Sequence, residues 1–234
     1  CLNAIHLIKG DIRNLEVINQ TFRIAQSANH PISGVIHFAG LKSVSESREK
    51  PLLYWDVNVK GTINLLESME IFQCRTIVFS SSATVYGTSS KSPLLETASI
   101  RPINPYGITK HSNELLLKNV FAGNSNLWKI AILRYFNPIG SHPTGMIGES
   151  PIGLPNNIFP FICQVSQGKL KELKIYGKDW PTKDGTGVRD YIHVMDLAEG
   201  HLAALECLFS EDSQCLTVNL GTGKGTSVLE LIET

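Results

Sequence analysis

Short apolar runs alternate with longer stretches of helical periodicity along most of the chain. Six runs are rich in β-branched or aromatic residues and bounded by turn formers, near 4–8, 34–39, 75–80, 129–136, 173–176 and 216–219, which predicts strands. Between them apolar positions recur three and four apart near 14–28, 51–71, 106–122, 156–167 and 195–209, which predicts helices. In the second of these, Leu65, Leu66 and Met69 form the face expected to lie on a sheet. Such alternation builds parallel βαβ units, so the expected fold class is α/β, a doubly wound parallel sheet. From about Pro138 the pattern loosens, with Pro143, Pro151, Pro155, Pro160 and many glycines, as suits a smaller lobe grafted onto the sheet. Gly221-Thr222-Gly223-Lys224-Gly225 is expected to be a loop between the last strand and a closing helical pattern at 227–232.

Composition removes several functional classes. Lys and Arg number 21 against 21 Asp and Glu, so no basic surface invites nucleic acid or an anionic membrane. Five cysteines (Cys1, Cys74, Cys163, Cys207, Cys215) are scattered without a C-x-x-C pair, which predicts reduced thiols in a cytoplasmic protein rather than a disulfide framework or zinc site. The histidines show no metal-ligand spacing, and no metal is expected. No apolar stretch approaches membrane-span length, and no signal peptide is visible. With 42% hydrophobic residues the chain can bury a substantial core.

Candidate chemistry begins at Tyr106 and Lys110. Residues four apart share a helix face, so the phenol and the ammonium can enter one site. A phenol, with an ordinary pKa of about 10, is a poor base at neutral pH. A nearby cation favours the phenolate, and Lys110 is expected to lower the Tyr106 pKa in this way. Upstream, the run Arg75-Thr76-Ile77-Val78-Phe79 opens into Ser80-Ser81-Ser82. Ligands of doubly wound sheets bind beyond the carboxyl ends of strands, so Ser82 is placed to hydrogen-bond a substrate hydroxyl; an ordinary Ser-rich turn is the competing reading. A second run, Gly34 to Gly40, also ends in small residues that let backbone approach a ligand.

These residues resemble the extended, nucleotide-sugar branch of the short-chain dehydrogenase/reductase superfamily, and more narrowly the UDP-glucose 4-epimerase family. The similarity runs almost end to end, through Gly10-Asp11-Ile12-Arg13, VIHFAGLKSVSES at 35–47, Asn58-Val59-Lys60-Gly61-Thr62, FSSSATVYG at 79–87, LRYFNPIG at 133–140, GLPNNIFPF at 153–161 and DGTGVRDYIHVMDLAEGH at 184–201. The resemblance implies a Rossmann-like NAD-binding domain over 1–137 and a UDP-sugar-binding lobe over 138–234, with elements around 188–219 packing back on the first. It implies reversible oxidation at carbon 4 of a UDP-hexose, with NAD unchanged after each cycle. Tyr106 would be the proton acceptor, Ser82 would bind the same oxygen, and Lys110 would hold the nicotinamide ribose; all three would contact cofactor, and Ser82 and Tyr106 substrate as well. A homodimer is also implied, through helices like 51–71 and 106–122.

Further roles come from the same likeness, each beside a plainer alternative. Asp11 and Ile12 would meet the adenine edge, although an Asp in such a turn is more often a cap. Phe38, Ala39, Gly40, Leu41 and Lys42 would line the dinucleotide, although a lone lysine is usually solvated. Asn58 would be a cofactor or water contact, or a buried structural hydrogen-bonding group. Phe136 would lie near the nicotinamide and Asn137 would touch the sugar nucleotide. Asn157 and Ile158 would hold the UDP part; Asn156 and Asn157 are equally natural helix caps. Lys174, Ile175 and Tyr176 would form a strand flanking the uracil. Arg189 would grip the diphosphate, since a guanidinium fork matches phosphate oxygens; a salt bridge to Asp190 is the alternative.

A dinucleotide-binding fold should open with a strand, a Gly-rich phosphate turn and a helix. No such turn precedes Asp11, so the chain is expected to be an internal piece of a longer enzyme and to bind NAD poorly alone. Rival chemistries differ at named positions. In related 4,6-dehydratases an Asp-Glu pair follows the hydroxyl residue; here Ala83 and Thr84 stand there and cannot supply that acid and base. A decarboxylase, another nucleotide-sugar epimerase, or a non-catalytic dinucleotide-binding module remain as alternatives, the last opposed by retention of Ser82, Tyr106 and Lys110.

Overall fold

The computed structural model describes residues 5–88, 92–150, 155 and 157–234. In chain order its elements are α1 (Leu15–Ser27), β1 (Val35–His37), α2 (Val44–Glu49), α3 (Pro51–Tyr54), a π-helical turn (Trp55–Lys60), α4 (Gly61–Ile71), β2 (Thr76–Ser82), a 3-10 turn (Ala83–Tyr86), α5 (Pro105–Gly123), β3 (Lys129–Tyr135), β4 (Asn137–Ile139), α6 (Ile158–Ser166), β5 (Val188–His193), α7 (Val194–Ser210), β6 (Gln214–Leu220), β7 (Gly225–Ser227) and α8 (Val228–Glu233). The main sheet is parallel, in the order β1-β2-β3-β6. A smaller sheet, β4-β5-β7, pairs β4 with β5 in parallel and β5 with β7 antiparallel.

The near-continuous apolar runs of β2 and β3 follow from helices covering both faces. Side chains alternate across the pleat. Ile77, Phe79, Ile130 and Ile132 pack with Phe22, Leu65, Met69, Leu117 and Trp128 on one face. Val78, Ala131 and Leu133 point the other way, beneath Leu208 of α7. The helical stretch expected at 51–71 is present, but its middle turn is π-helical, a wider turn that often marks a functional site. Helix α5 starts where chemistry requires it: Pro105 fills the first turn, and the Asn104 side chain accepts from the Gly107 amide at 2.8 Å.

Two expected strands are absent. Residues 5–8 form none, and Ile5 and Leu7 are 70% and 93% exposed; a strand needs a ladder partner, and among the described residues β1 pairs only with β2. Residue 4 lies outside the described residues. At 173–176 there is also no strand: Tyr176 is 85% exposed, and the following Gly177 turns the chain at φ 87°. Conversely β4, β5 and β7 were not expected: β4 and β7 have three residues each, one containing Pro138, too few to show a period of two, and the six residues of β5 place Arg189 and Asp190 side by side, which breaks the apolar pattern. Among the described residues no helix is long and apolar enough to cross a membrane.

Candidate active site

The carboxyl ends of β2 and β3 and the first turns of α5 converge on one point. Ser82 is the last residue of β2, and its Oγ accepts from the Thr84 amide at 3.2 Å, capping the 3-10 turn. Its hydroxyl also donates to Thr84 Oγ1 at 2.9 Å. Tyr106 and Lys110 stand one turn apart on α5, with the ammonium 6.0 Å from the phenol ring centroid. Lys110 is buried over the Phe79 ring at 5.0 Å and donates to the Ser80 carbonyl at 2.6 Å. An ammonium has three donors, so two remain without an acceptor among the described residues.

Electrostatics at the pair differ from the expectation. Burial pushes the Tyr106 phenol up from its ordinary value, with the nearby Ser82 hydroxyl acting in the opposite direction. Burial also pulls Lys110 down to about 8. On balance the phenol is therefore raised, opposite to the expected direction, while the Lys110 ammonium lies 6.0 Å from its ring centroid and is held by Ser80.

Beyond β1, Phe38, Ala39 and Gly40 are exposed at the same sheet edge. A side chain at Gly40 would lie 3.1 Å from Asn58 Oδ1 and 3.9 Å from Lys110 Nζ, so glycine keeps this cradle open. Asn58, in the π-helical turn and 2% exposed, is committed to structure: its Oδ1 accepts from the Leu41 amide at 2.7 Å, and its Nδ2 donates to the Leu41 carbonyl at 3.0 Å and Thr109 Oγ1 at 3.1 Å. Of the two readings of Asn58, the buried hydrogen-bonding one describes its side chain. Asp11 is exposed and clasped by Arg13 at 2.6 Å, which holds its carboxyl down at about 2. Ile12 packs against Gly61 at the start of α4, where a Cβ would come within 2.6 Å of it.

Beneath Lys110, His37 is buried against Phe79, and its Nε2 lies 3.0 Å from Thr62 Oγ1. Thr62 donates to the Asn58 carbonyl at 2.6 Å, so His37 Nε2 must be the donor to Thr62, which fixes a neutral tautomer. Burial and then Lys110 pull the imidazole from 6.5 to about 3. As pH falls below 6.5 the unfolded chain takes up a proton that the folded one refuses until about pH 3, so stability is lost across that window. At about 1.4 kcal/mol per pH unit of displacement, the loss reaches up to roughly 5 kcal/mol. Denaturant melts should show this acid limb in the parent and a flatter one in His37→Gln; equal limbs would refute it.

The substrate-side residues are partly gathered. Phe136 donates its amide to the Leu220 carbonyl at 3.0 Å, and Asn137 begins β4 beside Tyr191 of β5. Asn157 precedes α6, but its side chain makes no capping bond; with Lys42, Ser43, Val44 and Ser45 it lines a cavity of about 160 Å³. Lys42 and Asn157, remote in sequence, thus meet at one mouth. Ile158 opens α6, and Asn156 lies outside the described residues. Arg189 is exposed on β5 and donates to the Val188 carbonyl at 2.7 Å. Asp190 does not pair with it: its carboxylate accepts from the Thr222 and Gly223 amides at 2.9 and 2.8 Å. Lys174, Ile175 and Tyr176 are not brought to the Tyr106 edge by any strand. Among the described residues no cluster of His, Cys, Asp or Glu could hold a metal. Sequence reasoning missed Tyr86, Glu114, Arg134 and Asn219; the one signal was a charged residue, Arg134, inside the apolar run of β3.

A parallel sheet between helices, with Ser, Tyr and Lys at its carboxyl edge, defines a Rossmann-like protein of the extended short-chain dehydrogenase/reductase fold. The chain belongs to the NAD dependent epimerase/dehydratase family, whose family model matches residues 1–221. It is 52% identical over 228 residues to UDP-glucose 4-epimerase 4 of Oryza sativa subsp. japonica, covering 97% of this chain and 60% of that protein. It is 51% identical over 224 residues to the bifunctional UDP-glucose 4-epimerase and UDP-xylose 4-epimerase 3 of Arabidopsis thaliana, covering 95% of this chain and 62% of that one. Among solved structures, UDP-glucose-4-epimerase from Stenotrophomonas maltophila, with bound NAD and formylated UDP-arabinopyranose, superposes with a TM-score of 0.90 at 48% identity, covering 97% of this chain and 65% of that one. The chain thus spans about three fifths of the length of the first curated relative.

Proposed function

We propose that the protein carrying this chain is an NAD-dependent epimerase that interconverts UDP-glucose and UDP-galactose at carbon 4. The observation that carries this is the convergence of Ser82, Tyr106 and a buried, under-bonded Lys110 at one sheet edge. It is supported by relatives named UDP-glucose 4-epimerases and by a structural neighbour from Bifidobacterium longum in complex with NAD+ and UDP. The residues present fit a dinucleotide. Lys110 has donors left for ribose hydroxyls, Gly40 keeps the backbone approachable, and Phe38 to Lys42 border the opening. Asp11, Ile12 and Phe136 complete that side, while Asn137, Asn157, Ile158, Lys174, Ile175, Tyr176 and Arg189 are proposed for the UDP-hexose.

Bound NAD supplies a hydride acceptor at carbon 4, and later the donor, so no net redox change occurs. Tyr106 removes the proton of the 4-hydroxyl as the carbon becomes a ketone. Ser82 hydrogen-bonds the same oxygen and restrains its position. The keto sugar turns its other face to the site, and Tyr106 returns the proton. Because Tyr106 is raised by burial alone, it needs positive charge close to its oxygen to act as a base near neutral pH; an oxidised nicotinamide carries such charge.

We also propose that residues 1–137 chiefly hold the cofactor and 138–234 the UDP-sugar, in a cytoplasmic homodimer. Leu52, Ile63, Ile108 and Leu115, exposed on α3, α4 and α5, offer apolar surface for a second copy. The deciding assay incubates the purified full-length protein with UDP-galactose without added NAD and follows UDP-glucose. Sustained conversion is expected, and its absence even with NAD supplied would refute the proposal.

A further inference from the structure

The strand register sets Ser81 of β2, Arg134 of β3 and Asn219 of β6 directly opposite one another, one row across three strands. Glu114 of α5 closes over this row. Its Oε1 accepts from Ser81 Oγ at 2.5 Å and from Arg134 Nε at 2.9 Å, and its Oε2 accepts from Arg134 Nη2 at 2.6 Å. The pair is buried, with side chains 0% and 1% exposed. Arg134 Nη1 donates to Tyr86 Oη at 2.9 Å and to the Glu96 carbonyl at 3.1 Å. Tyr86 in turn donates to Asn219 Oδ1 at 2.6 Å.

Each member adjoins a residue of the proposed site. Ser81 precedes Ser82. Tyr86 ends the 3-10 turn that Ser82 caps, so Ser82 is fixed from both sides. Glu114 lies one turn beyond Lys110 on the helix that carries Tyr106. Arg134 stands two residues before Phe136 on β3. Thr84, inside the 3-10 turn, touches the start of α5 so closely that a Cβ at Gly107 would lie 3.1 Å from its backbone oxygen. Stability alone does not call for charges here, because a buried ion pair can often be replaced by apolar residues without loss. What apolar residues do not supply is directional restraint between α5, β2 and β3.

We propose that Glu114 and Arg134 are positioning residues that fix Tyr106 relative to Ser82. This rests on the epimerase assignment for its kinetic consequence but not for its geometry. The test uses the full-length protein with its cofactor, in the double variant Glu114→Met/Arg134→Met and the single variant Glu114→Gln. The double variant is expected to keep the parent's circular dichroism and thermal midpoint while kcat falls about 100-fold and KM stays within about threefold, the signature of misplaced reacting groups. Tyrosine labelled at the phenol carbon, assigned through Tyr106→Phe, gives a second reading: the Tyr106 resonance should move, and its titration should shift upward as Ser82 is lost. A parental Tyr106 resonance in the folded variants overturns the proposal, whatever happens to the rate. If the double variant does not fold, Glu114→Gln, which keeps shape and an acceptor, carries both readings. Should the parent fail to interconvert UDP-hexoses, the proposed function falls, while the Tyr106 resonance still decides the positioning role.

Discussion

Tyr106→Phe is expected to cut UDP-hexose interconversion by about 10³-fold, the usual scale for losing a positioned proton acceptor. The substitution deletes one oxygen and keeps the ring, so the packing of the first turn of α5 and its Asn104 cap are preserved. Phenylalanine has no atom that can take a proton, Lys110 is already charged below about pH 8 and directed at the Ser80 carbonyl, and His201, the imidazole near this edge, is engaged with the Tyr135 hydroxyl. The measurement is initial-rate conversion of UDP-galactose by parent and variant, with thermal melts as the control for folding. Turnover within tenfold of the parent, in a variant with the parent's melting behaviour, would remove Tyr106 from the proposed chemistry.

Glu114→Ala is expected to cost about 3–5 kcal/mol of stability, because it strands the Arg134 guanidinium in a dry interior. The pair lies on the seam where α5 rests on β2 and β3, and Ser81 loses its acceptor at the same time. Since domains of ordinary size are stable by only about 5–15 kcal/mol, the variant should melt far below the parent. Urea unfolding of parent and variant measures it directly. A loss under about 1 kcal/mol would mean that water or another acceptor reaches Arg134. Truncation and the paired methionine replacement are thus predicted to differ in their cost to stability: the first leaves a naked charge and destabilises strongly, the second leaves none and keeps the parent's midpoint.

Much of this was legible in the sequence, and the failures share a cause. Strands β1, β2, β3 and β6 announced themselves because each is buried or half-buried and contiguous. The run at 4–8 has the same apolar character, but its described residues 5–8 form no strand, since β-structure depends on a partner that composition cannot reveal. The stretch 173–176 failed similarly, and the short strands β4, β5 and β7 went unseen within the Pro- and Gly-rich region. At the site, Ser82, Tyr106 and Lys110 were readable because motif spacing is local. The direction expected for the phenol came from i, i+4 spacing, whereas burial, a property of the whole fold, pushes it the other way. The alternative reading of Arg189, a salt bridge to Asp190, is not found: adjacent residues on a strand face opposite sides, and Asp190 caps the 221–223 loop instead. Glu114 and Arg134, twenty residues apart, became visible as one unit only through strand register.

The chain leaves the sheet after Tyr135 and rejoins it at Gln214 on the neighbouring strand, β6. Because the two strands are parallel, its departure and return points are locked at opposite ends of neighbouring strands, about 20 Å apart, whatever happens in between. Closing a longer or shorter excursion between two such fixed points changes the entropy only logarithmically with length. For divergence this means that the stretch outside the sheet, from Ile139 to Gly187, can lengthen, shorten or change character without shifting the register that holds Ser82 beside Tyr135. Preference for one sugar nucleotide over another is thereby free to drift in a lineage while the sheet that carries the Tyr106 edge stays the same.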